Sequence, residues 1–248
     1  MKLKVDNIAF RYAEEPLFQG LSFNVAAGEF VSILGPSGCG KSTILNLLAG
    51  ILAPEGGSMA VDGVPIRGMS SHFAYMPQND LLFPWKTIMQ NVCLHGRLRG
   101  NEKAARERAL KLFPLFGLAG YENAWPSDLS GGMRQRAAFL RTALCDADIL
   151  LLDEPFGALD VISRGDMQDW LVSMKQHLGR TCLLVTHDID EAIFLSDRIL
   201  VLGGRPASIR SEYRVTEANR TRDWLYAQGE LRHRLHDSIR GLETKNAD

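Results

Sequence analysis

The chain has 248 residues, which is enough for one large domain or two small domains with a substantial buried core. Hydrophobic residues make up 46% of it and charged residues 23%, so the composition excludes a disordered chain, a fibrous repeat and a disulfide scaffold. Because 28 Lys and Arg balance 29 Asp and Glu, the formal net charge of -1 provides no global field that would hold nucleic acid or an anionic membrane.

Cysteine spacing and apolar segments narrow the class further. The four cysteines form no CxxC pair, so we expect neither a zinc site nor disulfides. This cysteine usage is typical of a protein in a reducing compartment. The N-terminal sequence MKLKVDNIAF has no apolar stretch, and we expect no signal peptide. No apolar run approaches the ~20 residues of a membrane-spanning helix, so a role at a membrane would need a partner that holds the chain there.

The first part of the chain predicts strands around one glycine-rich turn. KLKVDNIAFRY and LSFNVAAGEF alternate in short apolar bursts, which indicates antiparallel strands. FVSILG is an apolar strand, and KSTILNLLAG follows the turn as a helix. MAVDGVPI predicts a hairpin that turns at Asp62-Gly63, and HFAYMPQ predicts one more strand.

From about residue 82 to 145 the composition becomes typical of helices. NEKAARERALKLFPLFGL has apolar residues at helical spacing, with Asn101 as the expected N-cap, and predicts a helical insertion. ADILLLDEP and TCLLVTHD are short apolar runs typical of buried parallel strands. The helix between them is expected to run from near Ser163 to about His177. DRILVLGG and PASIRSEY predict a last pair of strands, and the fold class is therefore α/β.

The tail predicts an amphipathic helix that packs on its own domain. Its sequence, TRDWLYAQGELRHRLHDSIRGLE, has no surplus of basic residues that would make it a nucleic-acid arm. The apolar residues at roughly helical intervals are Trp224, Leu225, Leu231, Leu235, Ile239 and Leu242.

The strongest motif is the glycine-rich turn after FVSIL. It matches G-x-x-x-x-G-K-[ST] between a predicted strand and a predicted helix, a context that disfavours a chance turn. Glycines allow backbone N–H groups to surround phosphates, and Lys41 is predicted to contact the β- and γ-phosphates of a nucleotide while Ser42 ligates Mg²⁺. The predicted nucleotide-binding residues are Gly35, Pro36, Ser37, Gly38, Cys39, Gly40, Lys41, Ser42 and Thr43.

A second motif, ILLLDE at 149–154, is a buried strand that ends in two acids. Ligands of open α/β sheets bind at the carboxyl ends of the strands, so the acids are placed at a site. Asp153 is predicted to hold Mg²⁺ through water, and Glu154 to orient and deprotonate the attacking water. Taken alone, the motif is equally compatible with an acidic turn after a core strand.

The two motifs together indicate a P-loop NTPase and leave kinases, GTPases, helicases and transporter ATPases open. A further glycine-rich segment opens a predicted helix upstream of the acidic strand, and it comprises Leu129, Ser130, Gly131, Gly132 and Met133. With this LSGG segment the sequence resembles the ATP-binding cassette (ABC) family. The commoner form of this signature is LSGGQ, but the resemblance implies that the serine hydroxyl and glycine backbone meet the γ-phosphate, so methionine should be tolerated.

The resemblance covers about residues 3 to 210 and assigns four more positions. Tyr12 matches the aromatic residue that stacks on adenine, and Gln78 the Q-loop glutamine that contacts Mg²⁺ and the attacking water. Asp160 in GALD matches the D-loop, and His187 the switch histidine at the γ-phosphate. Taken singly, Tyr12 could be an ordinary strand aromatic, Gln78 a loop glutamine and His187 a polar cap at a strand end. The order of all these elements along the chain favours the family.

The resemblance implies a P-loop ABC cassette over residues 1–215, with an N-terminal antiparallel β-subdomain, a parallel-sheet core and a helical subdomain inserted at about 82–145. Residues 216–248 form a short helical extension. It also implies a head-to-tail homodimer, in which the signature of one copy closes over ATP bound by the other. Each dimer would couple ATP hydrolysis to transport.

In ABC importers a membrane permease docks at the stretch that matches Gln78 to Asn91 here, whose LLFPW segment is unusually apolar for a loop. LLFPW, LSGGMRQR, DEPFGALD and VTHDIDEAIFLSDRILVL together resemble the ATPase subunits of importers for nitrate, sulfonates and taurine, a group that also serves pyrimidine precursors of thiamine. The implied partners are membrane permease subunits docking near Leu82–Trp85 and an extracytoplasmic solute-binding protein, and no nucleic acid. The chain would lie at the cytoplasmic face of the inner membrane and support uptake of a small anionic or heterocyclic solute. Phe83 and Trp85 could instead pack under the helical subdomain.

Three other functions are alternatives to an importer ATPase. An exporter or lipoprotein-extraction ATPase would have every catalytic residue named above. A soluble ABC ATPase acting on DNA or ribosomes usually carries coiled coils or two cassettes, and a P-loop small-molecule kinase lacks LSGG.

Cys39 is an unusual residue for a phosphate loop. Thiols at helix N-termini are more acidic than free cysteine, so we expect alkylation of Cys39 to inhibit ATP hydrolysis and ATP to protect it.

Overall fold

The computed structural model describes residues 1–243, except the side chains of 176–178 and 241–243. Its strands are β1 (Leu3–Tyr12), β2 (Glu15–Val25), β3 (Phe30–Leu34), β4 (Gly56–Val61), β5 (Val64–Ile66), β6 (Phe73–Met76), β7 (Ile149–Asp153), β8 (Thr181–Thr186), β9 (Arg198–Gly203) and β10 (Ser208–Arg214). Its helices are α1 (Lys41–Leu48), α2 (Ile88–Val92), α3 (Leu94–Leu98), α4 (Glu102–Leu112), α5 (Gly131–Ala143), α6 (Val161–Leu178), α7 (Ile189–Leu195), α8 (Arg222–Tyr226) and α9 (Gly229–Glu243).

The strands form two sheets. The N-terminal sheet has the order β2-β1-β4-β5 and is antiparallel throughout, as the alternating sequences predict. The central sheet has the order β10-β9-β3-β8-β7-β6 and is parallel apart from β10 at its edge. Parallel strands end at the same edge, so the turns after β3, β6, β7 and β8 lie side by side.

The central sheet separates two hydrophobic cores. On β7, Leu150 and Leu152 pack with the helices α2 to α7, whereas Ile149 and Leu151 face the N-terminal sheet and α1. The alternation follows from the pleat of a strand that is buried on both faces. Full burial of each such side chain contributes roughly 1.5–3 kcal/mol, so β7 is held firmly where its carboxyl end carries the two acids.

Residues 88–143 form the predicted helical insertion, α2 to α5. Thr87 and Gln90 make a capping box at the start of α2, and Ser130 caps α5 through a hydrogen bond from the Met133 N–H. Asn101 stands at the N-cap position of α4, but its side chain makes no capping bond. The predicted α/β architecture, with an antiparallel N-terminal sheet, a parallel core and a helical insertion, is confirmed.

Two predicted helices differ in their bounds. The helix after the acidic strand starts at Val161 instead of near Ser163, because the Asp160 carboxylate accepts from two backbone N–H groups and caps it there. The tail forms two helices instead of one, because α8 ends at Tyr226 and α9 begins at Gly229.

The tail nevertheless packs on its own domain, as its amphipathic pattern predicts. Leu225 and Leu235 are buried in the larger core, and Trp224, Leu231 and Ile239 pack against it. The side chain of Leu242 lies outside the described residues. The domain boundary at 215/216 stays a prediction. Within the described chain no helix is both long and apolar enough to cross a membrane.

Candidate functional site

The phosphate loop surrounds the ammonium group of its own lysine. Lys41 is the first residue of α1 and is only 5% exposed, and its Nζ donates to the backbone oxygens of Gly35 and Pro36 at 2.9 Å each. Both bonds are to neutral carbonyls, so the positive charge is uncompensated by any anion in these contacts. A phosphate oxygen that entered the loop would make a charge-assisted and therefore stronger bond.

Two glycines let the loop turn tightly. Gly38 and Gly40 have φ angles of 79° and 100°, in the left-handed region. A Cβ on Gly40 would also lie 2.8 Å from Cζ of Phe18 on β2, so a side chain would need both a strained backbone and a shift of the ring. The packing of the loop on β2 thus requires glycine at this position.

A hydroxyl and a carboxylate meet at the start of α1. Ser42 Oγ donates to Oδ1 of Asp153 at 2.8 Å, and Tyr75 Oη donates to Oδ2 at 2.8 Å. Burial, together with the charge of Asp153, raises the pKa of Tyr75, so the phenol remains protonated and a donor. Hydroxyl and carboxylate oxygens form the kind of donor set in which Mg²⁺ binds with few protein ligands and substrate phosphates.

Three further predicted residues converge next to this pair. Nδ1 of His187 lies 3.2 Å from Oε2 of Glu154, and Nε2 of Gln78 donates to the same oxygen at 3.4 Å. Glu154 itself has a φ of 42°, a rare value for a residue other than glycine. Its backbone N–H donates to Val185 O of the neighbouring strand at 2.9 Å, so the strained residue is anchored to β8.

Tyr12 stands at the other side of the phosphate loop. Its hydroxyl lies 3.4 Å from Thr43 Oγ1, and its ring meets the Phe10 ring edge-on at 5.0 Å. A groove of about 470 Å³ lies between Tyr12, Leu17 and the loop residues 36–39. The half-exposed ring is therefore available to a planar group that enters beside the phosphates.

The predicted acidity of the Cys39 thiol is wrong. Burial raises the pKa of this thiol, and the nearby Lys41 offsets the effect only in part. Sequence places the residue near a helix N-terminus but does not reveal how far the loop folds over it. The expected reactivity toward alkylating reagents therefore loses its physical basis.

The comparisons with known proteins decide the family. The family model for the ABC transporter matches residues 18–157, more than half of the chain. The taurine import ATP-binding protein TauB of Yersinia pestis bv. Antiqua (strain Antiqua) is 40% identical over 229 residues, which cover 92% of this chain and 88% of that protein. The chain belongs to the ABC transporter family.

Two further proteins are similar over most of their length. The formylaminopyrimidine import ATP-binding protein ThiZ of Halalkalibacterium halodurans is 41% identical over 243 residues, covering 97% of this chain and 95% of that protein. The dimeric cassette MJ0796, solved in a post-hydrolysis state bound to ADP and Pi, has a TM-score of 0.70 and 27% identity, covering 87% of this chain and 99% of that chain. The predicted family, fold and ATPase activity are confirmed.

The ABC signature segment contacts the D-loop and the start of α6 of its own chain. Its helix α5 packs against α2, α6 and β6. A Cβ built on Gly131 would lie 3.6 Å from Leu159, and one on Gly132 would lie 3.9 Å from Ser163, so the segment borders the D-loop and the start of α6. Leu129 is buried and Met133 packs partly against the core.

The structure therefore sorts the predicted site residues into two groups. One group lies at the starts of α5 and α6 and comprises the signature Leu129, Ser130, Gly131, Gly132 and Met133 and the D-loop Asp160. The other group comprises Tyr12, the loop from Gly35 to Thr43, Gln78, Asp153, Glu154 and His187.

The Q-loop of this ABC ATPase is fixed by residues that sequence analysis missed. Asn91, fully buried on α2, accepts from the Phe83 N–H at 2.7 Å and donates to the backbone oxygens of Phe83 and Lys86 at 3.1 and 3.0 Å. Arg141 donates to the Asp80 and Leu81 oxygens at 2.6 and 2.7 Å. No local signal separates this asparagine from any other polar residue of a helix.

The apolar segment after the Q-loop splits between core and surface. Leu82 is buried in the larger core, whereas Trp85 is 68% exposed and contacts the Phe83 ring at 5.2 Å. The alternative in which Trp85 packs under the helical insertion is therefore wrong.

Sequence analysis also missed Gln135, which lies about one turn into α5. Gln135 is buried and donates to the Pro155 oxygen, immediately after Glu154. This bond connects the helix of the ABC signature to the acidic turn.

Proposed function

We propose that this chain is the ATP-hydrolysing subunit of an importer for a small organic solute, anionic or heterocyclic. The import functions in the names of the taurine and formylaminopyrimidine relatives support this class of cargo. The single observation that carries the hydrolytic part is the convergence of Gln78, Glu154 and His187 on one carboxylate oxygen at the edge of the sheet. They stand beside the phosphate loop, where an attacking water would need to be oriented.

Each group in this site has a role that its position supports. Lys41 binds the β- and γ-phosphates, and Glu154 accepts the proton of the attacking water, held in place by His187 and Gln78. Ser42, Asp153 and Gln78 supply the oxygen ligands that would hold Mg²⁺, which neutralises phosphate charge when bound. The described neighbours of the signature glycines are in the D-loop, α5 and α6 and not in the phosphate loop, so the signature is proposed to complete the site of a second copy in a head-to-tail homodimer.

The permease is proposed to dock beside the Q-loop, near Leu82–Trp85. An exposed tryptophan on a loop clamped by buried Asn91 provides a rigid aromatic anchor. A groove of about 540 Å³, lined by Ile51, Met69 and residues of the helical insertion, offers an additional apolar surface. Both Ile51 and Met69 are exposed, as a partner site requires.

Membrane association would then be peripheral, at the cytoplasmic face of the inner membrane, with an extracytoplasmic solute-binding protein delivering the cargo. Affinity purification of the full chain from gently solubilised native membranes tests this. We expect a multi-span membrane protein in stoichiometric amount, together with a solute-binding protein. Recovery of a permease without any solute-binding protein would favour export, and recovery with DNA or ribosomes alone would overturn the transport function.

A further inference from the structure

The loop that carries His187 is fixed from behind by its neighbours. Thr186, the last residue of β8, donates its hydroxyl hydrogen to Oε2 of Glu191 at 2.6 Å. The same hydroxyl oxygen accepts from the Asp188 backbone N–H at 3.0 Å. These bonds hold the residues on both sides of the histidine, so the position of Glu191 on α7 sets the position of the imidazole.

The chain of hydrogen bonds continues through the interior to the tail. Glu191 is 4% exposed, and its other oxygen accepts from Nε2 of Gln168 on α6 at 3.3 Å. Gln168 is 5% exposed, and its carbonyl oxygen accepts from Nη1 of Arg222 at 3.0 Å. The carboxylate on one side and the guanidinium on the other fix the orientation of the amide, because only one orientation satisfies both.

Arg222 is the first residue of α8, and its guanidinium is held on several sides. Nε donates to Asp169 Oδ1 at 2.9 Å and Nη2 donates to Gly165 O at 2.6 Å, both on α6. The Phe194 ring of α7 lies 4.5 Å from the guanidinium carbon. Arg222 therefore ties the tail to α6 and to α7, the helix that follows the His187 loop.

We propose that Arg222 is a positioning residue of the ATPase: through Gln168 and Glu191 it fixes the His187 loop, so the seating of α8 sets the rate of ATP hydrolysis. The inference rests on the proposed role of His187 next to Glu154. Proximity effects explain the sensitivity, because a misplacement of ~1 Å can cost 10²-fold in rate. Undocking of the tail would slow the chemical step without removing a group that touches ATP.

The test compares two arginines of the tail in the full chain. Arg222→Gln is expected to lower kcat about tenfold and to leave the KM for ATP within about twofold, since the phosphate loop is untouched. Arg234→Gln is the matched control, because Arg234 is an exposed arginine of α9 whose guanidinium lies 5.1 Å from the Tyr213 ring, and its described contacts include none to α7, α8 or the buried chain. We expect it to keep the wild-type kcat, and thermal denaturation verifies that both variants are folded.

A double-mutant cycle separates positioning from general destabilisation. Because Arg222 and Glu191 act in series, Arg222→Gln is expected to add little to the kcat loss of Glu191→Gln. The proposal is overturned if Arg222→Gln keeps the wild-type kcat, if Arg234→Gln loses as much, or if the kcat losses of Arg222→Gln and Glu191→Gln multiply in the double variant. A wild-type chain that hydrolyses no ATP would instead overturn the proposed function, and with it this inference.

Discussion

The buried carboxyl group of Glu191 is a titrating residue in the interior of this ATPase. Burial raises its pKa to about 7, and Asp188 adds to this effect. Hydrogen bonds from Thr186 and Gln168 and the charge of Arg164 act in the opposite direction. The desolvation penalty is the largest effect, so the folded protein keeps this proton well above the pH at which an exposed glutamate loses it.

This pKa predicts how stability changes with pH. Between about pH 4.5 and 7 the unfolded chain releases the Glu191 proton while the folded chain retains it, so the free energy of unfolding from this group falls as pH rises. The loss over that window is about 3 kcal/mol and is absent from Glu191→Gln. Urea unfolding of both proteins at pH 5 and pH 8 measures it. A difference between wild type and variant that is equal at both pH values would contradict the raised pKa.

At the residue scale, sequence is informative where function depends on local spacing. Lys41 and Ser42 follow a glycine-rich turn, and Asp153 and Glu154 end an apolar run, so their place at the sheet edge follows from neighbours in the chain. Contacts that join distant segments leave no such pattern. Tyr75 reaches Asp153 across 78 positions, and its phenol gives no sign of this in the sequence.

At the scale of elements, the proposed docking segment Leu82–Trp85 depends on α2, a helix that lies outside it. The Asn91 side chain on α2 makes three hydrogen bonds to backbone atoms of Phe83 and Lys86. These bonds fix the segment between them, where Trp85 is exposed to solvent. The apolar sequence LLFPW predicted an interface as a whole. It could not show that Leu82 belongs to the core, because burial is decided by the packing of α2 and α5 around it.

We predict that Trp85→Ala uncouples the ATPase from its permease. The side chain is exposed, so the free energy of unfolding should change by less than about 0.5 kcal/mol and the ATPase rate of the isolated chain should persist. An aromatic anchor at the centre of an interface contributes roughly 2 kcal/mol or more, about 30-fold in affinity. Co-purification with the permease measures this loss.

Tyr226→Ala is the matched control for this experiment, because Tyr226 is an aromatic residue of similar exposure on α8, 69% against 68%. Equal recovery of the permease with both variants would remove Trp85 from the interface.

The start of α6 is also set by a contact that the sequence analysis did not identify. Asp160 was assigned to the D-loop through the family resemblance, and its carboxylate also caps α6 by accepting from the Ile162 and Ser163 N–H groups. A hydrogen bond from the Ser163 side chain and, after it, the backbone N–H bonds from Ser163 and Ile162 hold the pKa of Asp160 below its usual value, so the cap stays charged. The family resemblance identified Asp160 as a D-loop residue but did not reveal its second role as the N-cap of α6.

At the scale of the whole molecule, the ATPase site is proposed to be divided between two copies. We predict that Glu154→Gln binds ATP and forms a long-lived dimer, because the amide cannot accept the proton of the attacking water. Loss of a general base lowers the hydrolysis rate by about 10²–10⁴-fold. Light scattering in the presence of ATP should give twice the monomer mass.

The control for the dimer is Glu154→Gln combined with Lys41→Ala, which removes the charge that holds the phosphates and should stay monomeric. A Glu154→Gln chain that carries bound ATP and scatters as a monomer would contradict the head-to-tail arrangement.

The end of β7 is held from both faces of the central sheet, because its side chains pack into two separate cores. Moving this end, which carries Asp153 and Glu154, would disturb apolar packing on both faces. The signature segment instead packs against the larger core alone. We therefore expect the ATP cycle to displace the helical insertion against the central sheet and to leave the end of β7 in place.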